Sequence, residues 1–126
     1  MNDGPASTGC HVLLVDDAAD VRQLLQLLLE LDGFTVTAAA DGPAGLAAVA
    51  AERPDVVLLD VQLPGLDGPE VLRTLRTSPS TAGLPVVFLT GAPHEQCDGL
   101  LALGATGVLH KPFDADTVAG QLSALL

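Results

Sequence analysis

The sequence predicts an α/β fold: a three-layer sandwich with a five-stranded parallel sheet between helices. Two observations carry this. Five short apolar runs, each about five residues long, recur along the chain and fit buried strands. Between them lie longer stretches with apolar residues at three- and four-residue spacing, the period of a helix with one buried face. Strict alternation of the two kinds predicts βαβ units, right-handed crossovers and helices on both sheet faces. At 126 residues the chain suits one domain.

The elements follow in order. Residues 1–9 are polar, small and rich in Gly and Pro, so they read as a flexible tail before a domain spanning 10–126. HVLLV at 11–15 is the first strand and runs into Asp16-Asp17. A helix over 18–31 carries Val21, Leu24, Leu25, Leu28 and Leu31 as its apolar stripe, and Asp32-Gly33 closes it. FTVTA at 34–38 alternates and is the second strand. Asp41-Gly42 is a turn, and Pro43 opens a helix to Arg53 with Leu46, Val49 and Ala50 on its inner face. Pro54 stops it. VVLLD at 56–60 is the third strand, with turns at Pro64-Gly65 and Asp67-Gly68 behind it. Helix 69–77, loop 78–83 and strand 85–90 come next. A helix over 92–104 is weakened by Gly99. Strand 106–110 and a last helix from Phe113, with Val118, Leu122 and Leu125 inward, complete the pattern.

Composition excludes several functions. Sixteen acidic and five basic residues leave a net charge of −11. Nucleic-acid backbones bind clustered Lys and Arg, and no such cluster exists, so direct nucleic-acid contact is not expected. No apolar run approaches a membrane span, and the N-terminus lacks a basic signal region. The expected setting is cytoplasmic, away from membranes. Cys10 and Cys97 are expected to be reduced thiols, without partners at zinc spacing. His11 and His110 at strand edges and His94 in a loop have no context for phosphohistidine chemistry. Neither a dinucleotide fingerprint nor a P-loop is present.

In open parallel sheets, ligands bind at the carboxyl ends of the strands. Those ends here offer Asp16, Asp17, Asp60, Thr90 and Lys111. Three carboxylates crowded together repel one another and call for a cation. Mg²⁺ fits, with Mn²⁺ as a substitute, because it takes oxygen ligands and is commonly tied to carboxylates plus phosphate. Asp60 is then a nucleophile toward phosphorus. The Lys111 ammonium and the Thr90 hydroxyl neutralise the remaining phosphoryl oxygens. Taken singly, each residue has a plainer reading. An aspartate after a strand forms a turn or caps a helix, and Asp17 is placed to cap the first helix. Asp41 and Asp67 read as turn residues. The coincidence at four separate strand ends carries the argument.

The segments LLVDDAADVRQLL, DVVLLDVQLPGLDG, PVVFLTG and GVLHKPFD together resemble the receiver domain of two-component response regulators, the CheY-like superfamily. The resemblance covers nearly the whole chain and implies a (βα)5 flavodoxin-like fold with strand order 2-1-3-4-5. It implies Mg²⁺ bound by Asp16, Asp17, Asp60 and the backbone carbonyl of Gln62, with phosphorylation of Asp60 and a grip on the phosphoryl oxygens by Thr90 and Lys111. It also implies a cis peptide between Lys111 and Pro112, a bond whose cost is lowest before proline. The implied switch couples Thr90 to an aromatic residue in strand five. Here that position is Val108, so the aromatic rotamer switch cannot operate in its usual form. Ala92 is small and leaves the phosphoryl group little shielded.

The implied partners are a sensor histidine kinase or a histidine phosphotransfer protein, and a downstream protein target. With few basic residues near the last strand, a monomer or weak dimer is expected. No output module is visible after the last helix. A single-domain regulator, a phosphorelay intermediate and a receiver from a larger regulator or hybrid kinase all stay open. Two rivals remain. A phosphohydrolase of the haloacid dehalogenase type would want an aspartate where Gln62 stands. A receiver-fold interaction domain with weak or absent phosphoryl switching would not need the full set of charged strand ends.

Overall fold

The computed structural model describes residues 10–91, 98–110 and 118–125. Strands and helices alternate: β1 (His11–Val15), α1 (Ala19–Leu31), β2 (Thr35–Ala39), α2 (Gly42–Ala51), β3 (Val56–Asp60), α3 (Gly68–Thr77), β4 (Val86–Thr90), α4 (Asp98–Ala102), β5 (Gly107–His110) and α5 (Val118–Leu125). The predicted tail over 1–9, the first half of the α4 region and the start of the last helix lie outside the described residues.

The five strands form one sheet in the order β2-β1-β3-β4-β5, and every pairing is parallel. From β1 the chain moves outward to β2, then returns to the other side of β1 as β3. The order therefore reverses between β1 and β3, which opens a crevice above their carboxyl ends.

The core has two layers because strand residues alternate in direction. Leu13, Val15, Val57, Leu59, Val86 and Phe88 meet Val49, Val71, Leu72 and Leu75 of α2 and α3. Val12, Leu14, Val56, Leu58, Val87, Leu89 and Leu109 meet Leu25 and Leu29 of α1 and Leu122 of α5. All of β3 and β4 is buried, as central parallel strands require.

Helix faces differ in part from expectation. In α1, Leu25 and Leu29 are fully buried, whereas Leu24 is 52% and Leu31 76% exposed. The helix has leucines at 24, 25, 27, 28, 29 and 31, so two overlapping stripes satisfy the helical period. Docking onto β1 and β3 selects one of them. In α2 the inner face is Gly42, Gly45 and Val49, while Ala50 faces solvent. A side chain at Gly45 would come within 2.9 Å of Val15, so glycine lets α2 pack close to β1.

The turn aspartates act as helix caps. Asp41 accepts from the Ala44 N–H at 2.8 Å. Asp67 and Glu70 form a reciprocal capping box at the start of α3. Near the other end of α3, the Arg76 guanidinium donates to the carbonyls of Leu84 (2.8 Å), Thr81 (3.3 Å) and Gly104 (2.9 Å). It ties two loops to one helix. Burial pulls its pKa below the ordinary arginine value.

Cys10 is a half-buried free thiol. Burial pushes its pKa up, and the nearby Asp55 carboxylate adds to the shift, so the thiolate is disfavoured. Among the described residues, no helix is long and apolar enough to cross a membrane.

Candidate functional site

β1 and β3 end side by side at the switch point, and their last turns carry the acidic residues. Asp16 is fully buried, Asp60 is 7% exposed, and Asp17 faces solvent. One carboxylate oxygen from each of the three lies within 4.8 Å of the others. Asp16 and Asp17 are neighbours in the chain, whereas Asp60 is far from them in sequence, and the parallel pairing of β1 with β3 brings it to the pair.

Local bonds hold these side chains in place. The Asp16 Oδ1 accepts from the Ala18 N–H at 2.9 Å, and its backbone N–H reaches the Ala39 carbonyl at 3.2 Å. The Arg22 guanidinium donates to the Asp16 carbonyl at 2.7 Å, which pins the β1 terminus to α1. The Asp60 Oδ1 accepts from the Gln62 N–H at 3.1 Å. Both aspartates therefore also serve as turn residues, and the same bonds restrict their rotamers. Asp17 does not cap α1: Ala18 is the N-cap residue and makes no side-chain cap bond.

α3 closes the site from below. The Gly68 N–H donates to the Val61 carbonyl at 3.0 Å. A side chain at Gly68 would run into the Asp60 carbonyl oxygen and come within 2.9 Å of the Val61 Cα. Glycine here lets the Asp67-capped helix start directly beneath the acidic turn.

Thr90 ends β4, is 5% exposed and stands across from His110 in the β4–β5 register. β4 also pairs with β3, with Asp60 across from Leu89, so Thr90 lies one residue beyond the level of Asp60. Gln62 is exposed. Val108 is half-buried on β5, across from Phe88, and packs on the α2–α3 layer. Lys111, Pro112 and Ala92 lie outside the described residues.

Sequence reasoning passed over Arg22 and Gly68. Arg22 binds a backbone carbonyl, and such a bond leaves no spacing pattern. In the sequence Gly68 signals only a turn, because its contact with the Asp60 carbonyl is tertiary.

The response regulator receiver domain family matches residues 12–123. This chain belongs to that family. The receiver is similar to the CheY4 chemotaxis response regulator of Vibrio cholerae, with a TM-score of 0.89 and 35% identity over 94% of this chain and 100% of that one. It is 43% identical over 118 residues to the transcriptional regulatory protein CseB of Streptomyces coelicolor, covering 92% of this chain and 49% of that protein. It is 38% identical to the DNA-binding response regulator MtrA of Mycobacterium leprae, covering 92% of this chain and 51% of that protein.

The receiver thus spans about half the length of the curated relatives it matches. This corrects the expectation of no direct nucleic-acid contact. Several relatives are transcriptional regulatory proteins, and two are DNA-binding response regulators. A net charge summed over 126 residues does not bound what a protein of about twice that length contacts.

Proposed function

We propose that this receiver takes a phosphoryl group onto Asp60 from the phosphohistidine of a sensor histidine kinase or histidine phosphotransfer protein, and signals through altered protein contacts. The supporting observation is the convergence of Asp16, Asp17 and Asp60 within 4.8 Å at the switch point of the sheet.

The donor set is anionic and all oxygen, which suits a hard divalent cation. Asp16, Asp17 and Asp60 would hold Mg²⁺ or Mn²⁺, together with the Gln62 carbonyl. When bound, such an ion neutralises charge on the carboxylates and the phosphoryl oxygens. The remaining work belongs to the chain. An Asp60 carboxylate oxygen attacks phosphorus; the new O–P bond forms as the P–N bond to the donor imidazole breaks, and the electron pair leaves with that nitrogen. The Gln62 N–H holds the other oxygen of Asp60 in place. The Thr90 hydroxyl and the Lys111 ammonium take phosphoryl oxygens. Relatives that regulate transcription support a role for this receiver, over residues 10–126, in a regulator of gene expression.

Acetyl phosphate with Mg²⁺ tests the reading. Intact-mass spectrometry is expected to find one added phosphate in the wild type and none in Asp60→Asn or without divalent ion. An unmodified wild type would instead favour an interaction domain without phosphoryl switching. A phosphate retained by Asp60→Asn would place the acceptor elsewhere.

A further inference from the structure

We propose that His110 is a positioning residue for the Thr90 hydroxyl. The inference rests on the reading that Thr90 binds a phosphoryl oxygen. Thr90 and His110 are register partners in the parallel β4–β5 pair. Val86 and Phe88 of β4 and Val108 of β5 pack in the α2–α3 layer, whereas Val87, Leu89 and Leu109 pack in the α1–α5 layer. Side chains alternate along a strand, so Thr90 and His110 both project toward the α2–α3 side. Paired strands lie about 4.8 Å apart, which sets the two side chains next to each other at the carboxyl rim. Thr90 is 5% exposed and His110 is half-buried on the neighbouring strand.

The chemistry follows from the hydroxyl. It has one proton to donate and two lone pairs to accept with. While it donates to a phosphoryl oxygen, it can accept an N–H from the imidazole. That second bond selects one Thr90 rotamer among the staggered alternatives and strengthens the hydroxyl as a donor.

The test compares phosphorylation rates with acetyl phosphate and Mg²⁺, read by intact mass. His110→Leu is expected to slow phosphorylation about five- to tenfold, the worth of one hydrogen bond. His110→Gln keeps an N–H donor and recovers most of the rate. In a Thr90→Val background, His110→Leu costs nothing further. His110→Ala replaces the leucine variant if the latter does not fold. Unchanged rates in His110→Leu, losses that add in the double variant, or a glutamine variant as slow as leucine overturn the positioning role while leaving Asp60 as acceptor. A wild type that takes no phosphate overturns the underlying reading as well.

Discussion

Asp16 and Asp60 each do two jobs. A short local bond from one carboxylate oxygen shapes the turn after a strand, and the same bond aims the carboxylate into the site. The plain reading and the functional one were therefore never exclusive, and the sequence showed both. Arg76 is the opposite case. Its side chain serves only backbone carbonyls, in the loop that follows α3 and in a second loop remote from it in sequence. Backbone acceptors are the same at every position, so no residue pattern announces such a bond. Arg76→Met keeps the aliphatic stem and removes the donors. It is expected to destabilise the domain by about 2 kcal/mol, discounted for partial exposure. Arg76→Lys should recover less than half, since one ammonium lacks the planar fork that reaches several carbonyls. Urea unfolding of the three proteins measures this.

At the level of elements, strands and helices were readable because burial imposes a period. β1, β3 and β4 are continuous apolar runs, and each proved to be a buried strand. The inner face of α1 was only half readable. Val21, Leu25 and Leu28 point inward as expected, but Leu24 and Leu31 do not, and Leu29 takes a core place. Leu25→Ala is expected to cost about 2–5 kcal/mol, the range for a buried leucine that leaves a cavity. Leu31→Ala should stay within about 0.5 kcal/mol. Thermal denaturation separates the two, and equal losses would mean that α1 sits with a different face toward the sheet.

The whole molecule brings three negative side chains together on a chain of net charge −11. Crowding of this kind costs stability until a cation relieves it. Mg²⁺ at about ten times its dissociation constant should raise unfolding free energy by about 1.4 kcal/mol. The gain should vanish in Asp17→Asn, whose exposed side chain makes no cap bond and so leaves the fold intact. Matching ionic strength with a monovalent salt removes general screening from the comparison. A stabilisation that survives in Asp17→Asn would argue against ion binding at this cluster.

By itself the sequence determined the alternation of strands and helices, the placing of Asp16, Asp17, Asp60 and Thr90 at strand ends, and membership of the receiver family. These are consequences of local periodicity and of short motifs, which travel with the chain. Only the tertiary structure decided which face of α1 is buried, that Asp16 and Asp17 lie within reach of Asp60, that Gly68 must admit the Asp60 carbonyl, and that His110 stands across from Thr90. Each of these depends on which strands become neighbours and in what register, and pairing between distant segments is settled by the packing of the whole core.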